Sequence, residues 1–189
     1  LILSNTDIVN ALEAGSFSIE PRPSGGPDGA PFNTSAVDLH LSAQLRIPRE
    51  GQPVVMDLRK PGIAAFLATN SDTVTTSHDQ PYVLERNKFV LANTIERVGF
   101  PLKSDATCYA ARVEGRSSLA RCGILVHFTA PTIHAGFEGT ITLEITNLGF
   151  APFLLFPGLA VCQLILEEVR GVPTLAPNQF SGQSTPEGT

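Results

Sequence analysis

From Val37 to Ile47 the odd positions are all apolar (Val37, Leu39, Leu41, Ala43, Leu45, Ile47) and the even positions all polar (Asp38, His40, Ser42, Gln44, Arg46). Such a period-two alternation puts one face in a core and one toward solvent, and predicts a half-buried strand. The same pattern recurs over Gly139–Asn147, where Ile141, Leu143 and Ile145 face one way and Thr142, Glu144 and Thr146 the other. Further strands are predicted at Val54–Leu58, Tyr82–Leu84, Phe89–Thr94, Thr107–Val113, Phe153–Phe156 and Val161–Glu167, divided by Gly, Pro and Asn. One short helix is expected at about 5–14, with Ser4 as N-cap, Asp7 reaching back, Ile8, Ala11 and Leu12 on one face and Gly15 at its end. Pro21 to Pro31 reads as a loop. Many short strands with few helices define an all-β barrel or sandwich. From Gly171 onward the periodicity stops and polar residues dominate. The chain thus divides into a domain over 1–170 and a tail over 171–189 that is either disordered or ordered by a ligand.

Composition narrows the class. The 189 residues suit one domain with a proper core, and 42% hydrophobic with 16% charged residues marks a globular chain rather than a disordered one. A formal charge of −5 argues against a nucleic-acid partner, which calls for a basic face, but leaves room for a small polyanion held by a few clustered arginines. No apolar run reaches the about 18 residues of a membrane span, and Leu1–Leu3 carries no basic flank of a secretory signal. Cys108, Cys122 and Cys162 are odd in number and form no CxxC. They read as buried free thiols in a reducing cytoplasm, not as a disulfide framework or a four-cysteine zinc site.

Two segments carry candidate chemistry. In Glu114-Gly115-Arg116-Ser117-Ser118-Leu119-Ala120-Arg121-Cys122-Gly123, two serines precede a helix-like turn that stops at Gly123. Free N–H groups at a helix start attract phosphate, and Arg116 and Arg121 flank the turn. Read alone, it is equally a capped turn with two surface arginines. Further on, His127-Phe128-Thr129-Ala130 leads through His134 and Gly136 into the strand holding Glu144. A mid-strand carboxylate is rigidly held and suits proton transfer if its face is enclosed; otherwise it is a solvated glutamate. His40 and His78 show no partner pattern, and His127 reads as a satisfied core histidine. No HxE or PCxxC, no Ser/His/Asp order and no glycine-rich phosphate loop is present.

Read together, RSSLAR, the HxTA after it and GFxGxITLExxN resemble the dCTP deaminase branch of the dUTPase-like superfamily. The fit extends to Ser35-Ala36-Val37-Asp38-Leu39, to Pro157-Gly158 with Ala160-Val161-Cys162-Gln163-Leu164, and to Ser181-Gly182-Gln183. The resemblance implies a homotrimer of distorted jelly-roll-like β barrels with a short N-terminal helix, a mobile C-terminal tail and active sites between subunits. It implies zinc-independent hydrolytic deamination of dCTP to dUTP and ammonia, with Mg2+ accompanying the triphosphate and dTTP as a candidate inhibitor. Glu144 would be the general base and acid, and Ser117 and the Ala130 backbone would place the water. Arg121 would come from or support an adjoining subunit. Arg116, Ser117 and Ser118 would hold the triphosphate, Gln183 would reach it from the tail, and Thr142 and Leu143 would read the pyrimidine edge.

Three positions depart from the family pattern. His134 stands where an aspartate contacts the sugar 3′-hydroxyl, Gln179 stands where a lysine lies near the phosphates, and no tyrosine follows Tyr109. Two rival readings follow: a dUTPase-like nucleotide pyrophosphatase, and a non-catalytic trimer that senses pyrimidine nucleotides.

Overall fold

A computed structural model of the chain describes residues 1–51, 53–57, 59, 62–175 and 182–186. It opens with α1 (Asn5–Glu13), whose N-cap Ser4 accepts the Asp7 N–H on its hydroxyl at 3.2 Å and donates that hydroxyl to the Asp7 carboxylate at 2.8 Å. Ile8, Ala11 and Leu12 are buried beneath it, and Gly15 takes a left-handed φ of +62° where the chain turns away. There follow β1 (Ser18–Glu20), β2 (Phe32–Asn33), β3 (Ala36–Pro48), α2 (Ile63–Thr69), β4 (Ser71–Thr75), β5 (Tyr82–Leu84), β6 (Phe89–Gly99) and β7 (Cys108–Gly115). Then come α3 (Ser117–Arg121), β8 (Ile124–Leu125), β9 (Thr132–Ile133), β10 (Glu138–Asn147), β11 (Phe153–Leu155) and β12 (Ala160–Val169).

One antiparallel sheet runs β8–β10–β6–β3–β12–β7–β9, with β1 added to β6 and β2 and β4 to β3, while β5 and β11 pair separately. The long strand β3 curls this sheet. Its first half, Val37–His40, pairs with β12, and its second half pairs with β6 and β4. Register shifts between Leu41 and Leu45 on β3, Ala160 and Cys162 on β12, and Thr140 and Thr142 on β10 bend the strands at the crossings. The sheet curls its apolar face inward as a half-barrel, in keeping with the distorted barrel that the resemblance implied. Val37, Leu39, Leu41 and Leu45 from β3 meet Leu143 and Ile145 from β10 and Leu164 and Leu166 from β12, all fully buried. Each such side chain contributes about 1.5–3 kcal/mol of burial.

Two expectations change. Residues 53–57 form no strand, and Val55 is 89% exposed, because this apolar run has no paired neighbour to cover it; Leu58 lies outside the described residues. α2 was not predicted.

The end of β10 is fixed by Asn147, which is fully buried. Its amide donates to the Leu84 and Ala151 carbonyls at 2.9 Å each and accepts the Gly149 N–H at 2.9 Å. Nearby, Gly123 at φ +86° packs its backbone on Gly149, where a Cβ on either residue would collide with the other segment's main chain. The Leu148 N–H donates to the Gly123 carbonyl at 2.8 Å. The α3 turn is thereby seated on the exit of β10 through close main-chain contact, with Leu119 packed on the core beside it.

Candidate active site

β10 carries Glu144 between the buried Leu143 and Ile145, so the strand's pleat turns the carboxylate to the opposite face. Its Oε2 accepts the Phe128 N–H at 3.2 Å. Phe128 packs on Phe89 with ring centroids 5.7 Å apart, which steadies the loop that supplies this donor. Leu91 on β6 is the cross-strand neighbour of Glu144.

Glu144 opens onto a cavity of about 490 Å³, a size typical of small-molecule sites. Hydrocarbon supplies much of the wall: Ile63 and Leu67 from α2, Phe89 and Leu91 from β6, Val113 from β7 and Phe137 ahead of β10. Among the described residues that line it, Glu144 is the one carboxylate. Ala130, His134, Thr142 and Gln183 reach the same cavity from the loop before β9, the turn after it, the strand itself and the tail. Charge interactions are stronger in such an apolar, low-dielectric setting than in water.

The arginine turn lies apart from this cavity. β7 runs into Arg116, the N-cap of α3, and the helix begins at Ser117 rather than after the serines. Ser117, Ser118 and Arg121 are exposed. Arg116 is half-buried, with Nη1 donating to the Ala160 carbonyl at 3.3 Å and Nη2 3.3 Å from Asp38 Oδ2. Leu143 turns its side chain into the core at 0% exposure, so only its backbone faces the strand's neighbours. Gln179 and Ser181 lie outside the described residues.

The described part of the tail is seated on β10. The Gly182 N–H donates to the Glu138 carbonyl at 2.7 Å, the Thr140 N–H to the Gln183 carbonyl at 3.1 Å, and Gln183 Nε2 to the Thr140 carbonyl at 2.9 Å. Gln183 is buried at 8% exposure and Pro186 also lines the cavity. A Cβ at Gly139 would fall 2.8 Å from the Gln183 carbonyl oxygen, so the tail passes where only glycine leaves room. Residues 182–186 thus lie along the chain's own strand edge.

Other side chains also differ from expectation. His40 has a partner, with Nδ1 2.6 Å from Glu96 Oε1 and its N–H on Glu96 Oε2 at 2.9 Å. His78 packs against Phe156, ring centroids 5.2 Å apart. His127 is no satisfied core residue: it lines the cavity, and its buried Nδ1 has no partner among the described residues. The Thr142 hydroxyl, on the same cavity, is buried and likewise has no partner among the described residues. The cysteines are free, but Cys122 is exposed, lying on the outer turn after α3. Burial pushes the Cys162 thiol well above its ordinary range, with Glu96 and Asp38 adding to the shift, so this group stays protonated and unreactive.

The chain is thus a curled antiparallel β-sheet protein with a cavity of largely apolar wall, one carboxylate among the described lining residues, and a separate arginine turn. The sequence profile of the dCTP deaminase-like family matches residues 2–169. A protein named dCTP deaminase, dUMP-forming, from Methanosphaera stadtmanae is 36% identical over 98% of this chain and 91% of its own length. One named dCTP deaminase from Thermomicrobium roseum is 31% identical over 99% of this chain and 92% of its own. The chain belongs to the dCTP deaminase-like family. The crystal structure of 2′-deoxycytidine 5′-triphosphate deaminase from Agrobacterium tumefaciens shares the fold, with a TM-score of 0.63 and 21% identity over 87% of this chain. This chain spans 47% of that one's length.

Proposed function

We propose that the chain hydrolyses dCTP to dUTP and ammonia without zinc. The observation that carries this reading is Glu144, fixed mid-strand and opening onto an apolar cavity that four other candidate site residues reach. Water adds to C4 of cytosine, Glu144 takes its proton, and the same carboxyl passes a proton to the amino group, which leaves as ammonia. One carboxylate that keeps its place suffices for both transfers, and general acid–base groups contribute about 10²–10⁴-fold. The Phe128 N–H on Oε2 fixes the carboxylate's orientation. The Ala130 backbone places the water together with Ser117 from an adjoining subunit, because this chain's own Ser117 stands apart from the cavity. Thr142 and the Leu143 backbone meet the pyrimidine edge, and His134 meets the sugar. Arg116, Ser118, Arg121, Gln179 and Gln183 take the phosphates.

Three cysteines without a CxxC, and histidines without an HxE, leave the chain short of a zinc-deaminase ligand set. Among the described residues no group of three or more His, Cys, Asp or Glu is placed to hold a metal ion. Mg2+ would arrive on the phosphate oxygens, where it supplies charge screening. Exposed Ser117, Ser118 and Arg121 beside exposed Leu125, Leu148 and Phe150 support a homotrimer in which an adjoining subunit completes the phosphate end. The barrel over 1–170 and a closing tail over 171–189 form the working unit, in the cytoplasm; among the described residues no helix is long and apolar enough to cross a membrane.

Release of dUTP rather than dUMP rests on His134. A neutral imidazole offers no fixed negative charge to activate water for attack on phosphate. The second reading, a dUMP-forming enzyme, is favoured by the name of the Methanosphaera stadtmanae relative. Chromatography of separate incubations with dCTP, CTP, dUTP and dCMP, with ammonia measured alongside, decides between them. dUMP and pyrophosphate as main products would replace the first reading by the second. Nucleotide-induced thermal stabilisation without ammonia from any substrate would leave a sensor.

A further inference from the structure

Asp38 lies on the polar face of β3, with its side chain only 11% exposed. A buried carboxylate is costly unless every lone pair is used. Here Oδ1 accepts from Gln163 Nε2 at 3.0 Å and from Asn33 Nδ2 at 2.9 Å, and Oδ2 stands 3.3 Å from Arg116 Nη2. The topology explains the meeting of residues so distant in sequence. β12 lies between β3 and β7, Gln163 is directly opposite Asp38 on one side and Glu114 on the other, and Arg116 follows where β7 ends. Asp38, Gln163 and Arg116 therefore form a row across three strands. Arg116 is gripped at two points, by Asp38 and by the Ala160 carbonyl at 3.3 Å, while about a third of its side chain stays exposed.

We propose that Asp38 is a positioning residue for the phosphate end of the site: it holds Arg116 in one rotamer, so that the remaining guanidinium N–H groups are presented to the nucleotide's phosphate chain before binding. The inference rests on the assignment of Arg116 to the phosphates made above. An unanchored arginine would have to give up its rotamer freedom on binding, and that cost would appear as lost affinity for phosphate alone.

The test is calorimetric binding of inorganic tripolyphosphate and of deoxycytidine to the full-length chain and its Asp38→Asn, Arg116→Ala and double variants. Asp38→Asn should weaken tripolyphosphate binding about tenfold and leave deoxycytidine within about twofold; a merely structural role would weaken both. In the Arg116→Ala background Asp38→Asn should add nothing, since the two act through one guanidinium. Should Asp38→Asn fail to fold, Arg116→Lys keeps the charge but cannot fork between Asp38 and Ala160. It should lose tripolyphosphate nearly as far as Arg116→Ala does. Equal weakening of both ligands by Asp38→Asn, additivity in the double variant, or full affinity in Arg116→Lys would overturn the proposal. If Arg116→Ala binds tripolyphosphate normally, the assignment of the phosphate end falls first. If Arg116→Ala weakens it and Asp38→Asn does not, the positioning role alone falls.

Discussion

Glu144 projects from the interior of a 10-residue strand paired with β6 along nearly its whole length, whereas Ser117, Ser118 and Arg121 stand exposed on a five-residue helix. The walls of the first region come from the chain itself. Its carboxylate is oriented by a backbone N–H, its walls are core-like side chains, and the tail closes one side. The second has a single anchored member, Arg116, and otherwise offers side chains to solvent. Chemistry that depends on placing a proton belongs in the first kind of setting, where each group has one position. Recognition of a flexible, strongly charged phosphate chain tolerates the second, because charge attraction is less sensitive to geometry and a neighbouring subunit can add to it.

Four experiments press on this contrast. Glu144→Gln keeps the shape and removes the proton acceptor, so kcat should fall about 10²–10⁴-fold with dCTP affinity unchanged within about twofold. Steady-state kinetics with calorimetry checks this, and near-normal turnover would take the chemistry away from the cavity. Arg121→Ala should act in the opposite sense, raising KM for dCTP roughly 10–100-fold with a smaller change in kcat; equal losses in both would mean that the turn takes part in the chemical step. Truncation after Gly171 should raise KM about tenfold through loss of Gln183, while size-exclusion chromatography and a melting curve show an unchanged folded core. Unfolding would show that the contacts on Glu138 and Thr140 stabilise the domain itself. His134→Asp should give the smallest effect, lowering KM for dCTP by about threefold. The same variant is to be assayed for dUMP, since a carboxylate there restores the group that phosphate hydrolysis needs.

The sequence made some of this legible and hid the rest for physical reasons. β3 and β10 were readable because each buries one face, so alternation survives along the strand. β2, β8 and β9 are two residues each, too short to show any period. α2 starts from Gly62 without a side-chain cap, so it carries no start signal, and its stripe of Ile63, Phe66 and Leu67 spans barely one turn, too short to show a period; its part in the cavity wall appears only in three dimensions. Alternation alone makes Glu144 a solvated glutamate on a polar face; its role comes from the resemblance of the strand motif to the family, not from the period. The pairing of His40 with Glu96, 56 residues apart, and the row of Asp38, Gln163 and Arg116 depend on which strands become neighbours. Local pattern does not encode that.

The contact between Gly123 and Gly149 works as a gauge block. Because main chain meets main chain there, the offset between the α3 turn and the exit of the Glu144 strand is set by backbone dimensions, with the Asn147 side chain holding the Gly149 N–H in place. A bulkier residue at either position would act as a shim, shifting the arginine turn relative to the carboxylate. Retuning this pocket for another nucleotide therefore has a practical rule: make the changes in the walls and at His134, and leave those two glycines alone.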